Sequence, residues 1–272
     1  MNLLFLKYSL FFLFFLVNLS ISQTGYSLFI NSINNSVGKT AISECSYLQN
    51  PAQFKCAYET IISFSISPSK FGINDLTPFL AMACNRFSDK ITAGASFFSI
   101  GNKLWNEFSF STFSAYQFGD KISIAADVQY SRIHIQDYSE ENMLFVNVGS
   151  VIDISSELSA GFYLSNVLRS NYSLTENNVP QYGIFGIGYE PIENLTFDLD
   201  AIIRINEKSG INFASSYDFE NIAKVRLAYQ SNPSAIEFAV SSFLWDLIRV
   251  YAGIYHHNTL GISQNFSVSV FL

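Results

Sequence analysis

The chain has 272 residues, of which 14% are charged and 16% aromatic, with 27 Phe and 15 Tyr. This mixture is more apolar than the surface of an ordinary soluble protein requires. No run of about 18 apolar residues lies beyond the N-terminus, which excludes helical membrane spans. The net charge of -7 argues against nucleic acid as a partner.

The chain begins with a predicted signal peptide over residues 1–22. Lys7 precedes an apolar run over residues 8–19, and small residues follow before the predicted cleavage at Gln23. A retained membrane anchor is the alternative interpretation. The run is shorter than the ~20 residues that a bilayer span needs, so export and cleavage are favoured.

The next segment, residues 23–56, does not alternate as a strand does. It is rich in Ser and Asn, and its Asn50-Pro51-Ala52 sequence is typical of a turn. A wide barrel cannot be filled by its own side chains. We therefore expect this segment to fold into the barrel predicted below as a plug, with Asn50, Pro51 and Ala52 at its turn.

From residue 57 to residue 272 the chain shows about fourteen segments of alternating apolar and polar residues. In "LTFDLDAIIRI", residues 195–205, one parity is apolar and the other carries Asp198, Asp200 and Arg204. The same alternation marks residues 122–130, 158–164, 223–230, 248–254 and 262–272. Most segments have about the 9 to 11 residues that a tilted strand needs to cross a bilayer. The predicted fold class is all-β, a transmembrane antiparallel β-barrel of about 14 strands.

The links between these segments differ on the two sides of the predicted barrel. Short links follow the even-numbered segments: "FSDKI", "FGDKI", "ISSEL", "PIENL", "FENIA" and "LWDLI". Longer polar links, "QDYSEEN" (136–142) and "RSNYSLTENNVP" (169–180), follow odd-numbered ones. This asymmetry is typical of barrels in the outer membrane of Gram-negative bacteria and places both termini in the periplasm.

Aromatic residues recur at or just before the short links, where a girdle in contact with the lipid interface is expected. The five are Phe87, Phe118, Tyr189, Phe219 and Trp245. The last segment runs to the end of the chain. Because a strand edge left open in lipid is costly, it is predicted to pair with the first strand, and loss of Phe271 and Leu272 is expected to impair assembly.

Charged residues on the polar parity of the predicted strands are candidates to line a water-filled lumen. They are Glu59, Asp127, Asp198, Asp200, Arg204, Lys224, Arg226, Glu237 and Arg249. They could hold the plug by ion pairs, or only solvate the lumen and pair across strands. A secreted soluble β protein is a further alternative, but it would have to bury these charges in a core.

Catalytic motifs are scarce, so we predict no enzyme, no cofactor and no metal site. Neighbouring strand residues such as His256 and His257 face opposite sides and do not readily share a metal. Cys45 and Cys56 bracket the predicted plug turn. An oxidising periplasm permits a disulfide between them, although spacing alone does not decide it.

Five stretches carry a resemblance to a known family: "AISECSYLQNPAQF", "SPSKFGINDLTPFLAMACNRF", "YEPIENLTFDLDAIIRI", "NPSAIEFA" and "VYAGIYHHNTLGISQNFSVSVFL". Together they resemble the PorV/PorQ-type outer-membrane proteins of the Bacteroidetes and Chlorobi lineage, relatives of the long-chain fatty-acid transporter barrels. The resemblance implies a fourteen-stranded barrel with an N-terminal plug, and for some members a role in type IX secretion.

Two functions are therefore expected as alternatives. In the first, the protein takes part in type IX secretion or surface assembly, with secreted or secretion-system proteins as partners that bind loops such as residues 169–180. In the second, it is a passive conduit for hydrophobic small molecules such as fatty acids. The second predicts an apolar pocket beside the plug and an inward kink or lateral opening in the wall. Outer-membrane lipid surrounds the barrel in both.

Overall fold

The computed structural model describes residues 44–54, 59–173, 179–205, 208–220 and 222–272. Within these ranges, fourteen strands form a closed antiparallel barrel in which each strand pairs with its neighbours along the chain. The strands are β1 Thr60–Ile66, β2 Phe79–Ser88, β3 Ile91–Gly101, β4 Trp105–Phe118, β5 Ile122–Ile135, β6 Ser139–Asp153, β7 Leu158–Ser165, β8 Tyr182–Ile192, β9 Leu195–Arg204, β10 Gly210–Phe219, β11 Ala223–Ser231, β12 Ser234–Leu244, β13 Ile248–His257 and β14 Gly261–Phe271. Two short 3₁₀ helices, Glu44–Gln49 and Pro51–Gln53, precede β1.

The alternation of residue types along each strand separates an inner from an outer face. On β9, Asp198, Asp200 and Ile202 are buried, whereas Leu199 and Ile203 are 53% and 63% exposed. An exposed apolar face and a buried polar face invert the usual arrangement of a soluble protein, and suit a wall that contacts lipid on its outside. The predicted fold class is confirmed.

The two ends of the barrel differ in their connections. We call the end with the six turns after the even-numbered strands the short-turn rim, and the opposite end the loop rim. The loop rim carries two long links, residues 67–78 between β1 and β2 and residues 166–181 between β7 and β8. The strand termini at Thr60 and Phe271 lie at the short-turn rim.

One predicted loop was wrong. The sequence at 136–142 was expected to form a long polar link, but β5 and β6 continue to Ile135 and Ser139, so that only residues 136–138 form the turn. The reason is pairing across the strands, where Arg132 contacts Glu140 and the Tyr130 hydroxyl donates to Asn142 Oδ1 at 2.6 Å. Polar residues that bond across two strands extend the sheet beyond its apolar band.

The barrel closes through the last strand, as predicted. β14 pairs with β1 from Ile61 opposite Phe271 to Ile66 opposite Phe266. Beyond the last pair, the Thr60 N–H donates to the Leu272 carbonyl at 3.0 Å, and the Leu272 N–H donates to the Thr60 carbonyl at 2.9 Å. The hydrogen bonding of the wall thus extends to the final residue of the chain.

The strands are unequal in length. β4 and β5 have 14 residues each and β6 has 15, whereas β7 has 8 and β11 has 9. β7 ends at Ser165, and the chain then continues beside the edge of β6, where the Val167 N–H donates to the Val146 carbonyl at 2.8 Å. The wall is therefore taller along β4–β6 than along β7–β11.

The aromatic side chains predicted for the girdle are exposed at the short-turn rim. Trp245 is 82% exposed and Phe87 71%, and Phe118, Tyr189 and Phe219 are exposed as well. Among the described residues, no helix has the length and apolar character to cross a bilayer.

Candidate functional site in the barrel lumen

The two 3₁₀ helices lie inside the barrel, against the inner faces of β1, β2, β4, β5 and β6. Ala52 is fully buried among the small inner residues Ala115, Ala125 and Val151. Residues 44–54 are the part of the predicted plug that the structure describes. Residues 23–43, 55 and 56 lie outside the described ranges, as does the predicted signal peptide.

Asn50 fixes the predicted plug turn to the wall. Its side-chain Oδ1 accepts the Ala52 N–H at 3.2 Å, which caps the second helix, and Pro51 occupies the first helical position. Its Nδ2 donates to the carbonyls of Ser150 and Phe162 at 3.3 and 3.4 Å. The Asn side chain is therefore both a helix cap and a tether to β6 and β7.

An apolar cluster lies on the inner side of β1–β4 and β14, beside this turn. We call it the inner apolar cluster. Its buried members are Leu48, Phe54, Ile61, Leu80, Met82, Cys84, Phe98, Ile100, Phe113 and Phe271. Ile100 and Leu80 stand near the loop rim, and Ile61 and Phe271 near the short-turn rim. The Phe54 ring stacks on Phe113 with centroids 4.9 Å apart, which joins the plug to the cluster.

The opposite side of the lumen, along β9–β13, is charged. Arg226 and Glu237 are buried, with Arg226 Nε 3.7 Å from Glu237 Oε2. The Tyr251 hydroxyl donates to Glu237 Oε1 at 3.1 Å. Buried charges are tolerated when they are paired and hydrogen-bonded. The lumen thus has an apolar half and a charged half.

The candidate lumen residues occupy several places. Asp198, Asp200, Arg226 and Glu237 are buried on the inner face of β9, β11 and β12. Asp127 is buried on β5, separately from these, and accepts from Asn147 Nδ2 at 2.7 Å. Arg204, on the same parity, reaches the loop rim, where its Nη1 donates to the Asn232 carbonyl.

Three of the candidates lie near the ends of strands at the short-turn rim. Lys224 and Arg249 line a small recess together with Asp218 and Ser241. The Arg249 guanidinium lies over the Phe243 ring, 4.1 Å from its centroid. Glu59 precedes β1 and is exposed, so it does not join the inner group. A functional role for these three residues stays a prediction.

Cysteine and histidine form no metal cluster within the described part of the chain. His256 and His257 end β13 on opposite faces, and His257 Nδ1 accepts the N–H groups of Thr259 and Leu260. Cys84 is buried on the inner face of β2. The possible Cys45–Cys56 bridge lies outside the described part of the chain, which does not include Cys56.

Sequence reasoning missed Lys70. It belongs to the 67–78 loop, yet it is only 2% exposed and its ammonium group lies 5.5 Å from the Tyr255 ring centroid on β13. Burial lowers the pKa of Lys70 to about 7, and the nearby Glu237 carboxylate opposes this shift. The only signal in the sequence is a single charge among the uncharged residues of "SPSKFGIN".

No protein-family model and no curated protein matches the chain. Solved structures do share its fold. The toluene transporter TodX of Pseudomonas putida aligns with a TM-score of 0.64 at 8% identity, over 88% of this chain and 96% of that one. The toluene transporter TbuX of Ralstonia pickettii aligns with a TM-score of 0.63 at 10% identity, over 88% and 96%.

The outer-membrane protein Omp33 of Acinetobacter baumannii is a third match, with a TM-score of 0.52 at 9% identity, over 79% of this chain and 98% of that one. At these identities the likeness shows the fold alone. The chain has the fold of an outer-membrane β-barrel, and these neighbours are not enzymes. They give no support to the PorV/PorQ type in particular, which stays a prediction.

Proposed function

We propose that this protein is a passive outer-membrane channel for small hydrophobic molecules. The observation that carries the proposal is the inner apolar cluster, which extends from Ile100 near the loop rim to Phe271 near the short-turn rim. Pockets for small molecules are mostly apolar with a few polar groups. The cluster includes Leu48 and Phe54 of the plug, so the proposed apolar path follows the face where the plug meets the wall.

The fold neighbours support the same proposal. TodX and TbuX are described as toluene transporters, and they share the barrel architecture over most of both chains. The two halves of the lumen then have separate roles. The apolar half contacts the solute, and the charged half fixes the shape of the lumen through pairs such as Arg226 with Glu237.

The expected kink in the wall has no counterpart in the strand pairing that the structure describes. The register shifts lie between Arg86 and Ser88 and between Tyr189 and Ile192, both at short turns rather than in the middle of the wall. Passage along the lumen, beside the plug, is therefore the route that we propose.

The test is uptake of radiolabelled toluene by Gram-negative cells that carry the protein in their outer membrane, because toluene crosses phospholipid vesicles unaided whereas the lipopolysaccharide leaflet slows its entry. We expect faster uptake than by cells without the protein. Phe98→Asp places a carboxylate in the middle of the inner apolar cluster, where Phe98 is fully buried, and should slow the uptake several-fold because the solute would meet a charged or hydrated group.

Gln129→Glu is the matched control, since it introduces a carboxylate on the polar inner face of β5, away from the cluster. It should leave uptake unchanged. Equal uptake by cells with the wild-type protein and by cells without it would contradict the proposal. Secretion is then the remaining hypothesis, and a secreted protein retained in native mass spectrometry of the extracted barrel would support it.

A further inference from the structure

The link between β1 and β2, residues 67–78, does not extend away from the barrel but turns into it. Ser67 and Lys70 are buried, and the Lys70 ammonium group lies 5.1 Å from the ring centroid of Phe71 and 5.5 Å from that of Tyr255. The Glu237 carboxylate is close enough to act on Lys70 electrostatically. The loop therefore places a cation against the charged half of the lumen.

The loop reaches across several strands. It leaves the barrel at β1, and the Phe71 N–H donates to Ser263 Oγ on β14 at 2.9 Å. The Phe71 ring contacts His257 on β13 with centroids 5.7 Å apart, and Lys70 lies over the ring of Tyr255 on the same strand. With neighbouring strands about 4.8 Å apart, the loop spans roughly 10 Å of the mouth.

The loop is held together mainly by its own hydrogen bonds. The Lys70 N–H donates to the Leu76 carbonyl at 2.9 Å, and the Ile73 N–H donates to the Lys70 carbonyl at 3.0 Å. Thr77 Oγ1 donates to the Pro68 carbonyl at 2.8 Å. A segment with this internal bonding can move as one body about its ends, because leaving the wall does not break its own structure.

Its contacts with β12–β14 suit reversible release. Cation–π contacts and a nearby carboxylate offset the cost of burying the ammonium group, but outside the lumen water solvates the same group fully. The free energy of the inward position relative to the outward one is therefore the difference between two large and opposing contributions, the desolvation of the ammonium group and its contacts in the lumen. An apolar side chain at this place would favour the inward position only.

The other long loop is fastened differently. Asn166 N–H donates to Asn147 Oδ1 at 2.8 Å, Asn166 Nδ2 donates to the Val179 carbonyl at 3.0 Å, and Gln181 Nε2 donates to the Asn166 carbonyl at 3.0 Å. Val179 also packs in an apolar cluster with Met143 and Phe145. This network ties residues 166–173 and 179–181, the described parts of the loop, to the wall at the mouth.

We propose that residues 67–78 form the gate at the loop rim, shut in this structure, with the Lys70 side chain as the latch that holds it against β13. The inference rests on the proposed function, since it concerns the regulation of the same lumen. Opening the gate exposes the inner faces of β12–β14 and the path beside the inner apolar cluster.

The test is the rate at which a membrane-impermeant maleimide labels a cysteine below the gate. Ser267→Cys places it on the inner face of β14, four residues and about 13 Å beyond Ser263. Lys70→Ala removes the latch and should raise the labelling rate several-fold. Lys103→Ala, in an exposed turn at the same rim, is the control and should leave the rate unchanged. Protein without the new cysteine gives the background from the native cysteines.

Heat-modifiable migration on gels shows whether each variant is a folded barrel. If Lys70→Ala does not fold, Phe71→Ala replaces it. This variant loses the ring contacts with His257 and with the Lys70 ammonium group but keeps the ammonium group itself, so it should raise the rate by a smaller factor. A folded latch variant that labels at the rate of Lys103→Ala would overturn the gate. Labelling involves no hydrophobic solute, so failed toluene uptake with fast labelling contradicts the proposed function and leaves the gate standing.

Discussion

At the scale of single residues, Gly149 decides how closely the plug turn approaches the wall. It lies on the inner face of β6, and a Cβ added there would stand 2.1 Å from Asn50 Oδ1. That distance is far inside van der Waals contact, and the nearby Asn50 side chain is committed to the Ala52 N–H. Glycine is required here for space rather than for its backbone conformation.

We therefore expect Gly149→Ala to displace the plug turn and to lower the free energy of unfolding by about 1–3 kcal/mol, the usual cost of overpacking. Thermal unfolding in detergent would measure it. Gly183→Ala is the control, because its added Cβ would meet its nearest neighbours at 3.8 Å, an ordinary contact. Equal thermal unfolding midpoints for the two variants would contradict close packing of the plug turn against β6.

Sequence reasoning worked for residues whose face is set by strand parity and failed for the others. Asp198 and Glu237 were expected on the inner face because alternation fixes it, and the structure places both there. Lys70 belongs to no strand, so no periodicity could place it in the lumen. The contact of Asn50 with β6 and β7 likewise depends on the path of the plug through the barrel, which a turn motif does not specify.

At the scale of elements, β14 is the strand on which closure depends. Removal of Phe271 and Leu272 would delete the two hydrogen bonds between Leu272 and Thr60 and the bond from the Phe271 N–H to the Leu247 carbonyl. In a bilayer each unsatisfied backbone group costs several kcal/mol. We expect the truncated chain to yield much less heat-modifiable barrel in the outer membrane.

The matched control keeps the backbone and removes only the side chains. Phe271→Ala with Leu272→Ala loses the packing of Phe271 in the inner apolar cluster but retains every backbone bond. It should assemble better than the truncated chain. The opposite order would show that the side chains, and not the closing hydrogen bonds, limit assembly.

The strands themselves could be predicted because two environments, lipid outside and a polar lumen inside, impose period two on each of them. Their ends could not. Polar residues at 136–142 resemble a loop by composition, but Arg132 with Glu140 and Tyr130 with Asn142 form pairs that exist only when the strands lie side by side. Pairing of this kind is invisible in a single segment.

At the scale of the whole molecule, the aromatic girdle at the short-turn rim provides a way to measure the contact of the barrel with lipid. The chain has two Trp residues, and only Trp245 points outward, since Trp105 packs against the inner apolar cluster. We expect brominated lipids to quench the fluorescence of Trp245, and most strongly when the bromine lies near the headgroups.

Trp105→Phe isolates the signal of Trp245, and Trp245→Phe isolates that of Trp105. The second variant should be insensitive to brominated lipid. Strong quenching of Trp105 would place that side chain in lipid and would contradict the orientation of β4.

The sequence indicates a barrel because fourteen alternating segments, each a weak indication of a strand, agree. The proposed function depends instead on residues from several segments that come together only in the folded barrel. The inner apolar cluster combines residues from β1–β4, β14 and the plug that are far apart in sequence. Their types alone, Phe, Leu, Ile and Met, would equally suit the outer face of any strand. Only the register of the strands distinguishes the two.

The unequal strand lengths make the loop rim of the barrel higher on one side than on the other. At about 3.3 Å per residue, the six-residue difference between β5 and β7 amounts to roughly 20 Å along the strand direction. At the loop rim β4–β6 then extend as a screen on one side of the mouth, while the wall along β7–β11 ends lower. Under the proposed function, a solute would therefore reach the mouth most directly over the low side, even though the closed sheet below it is continuous.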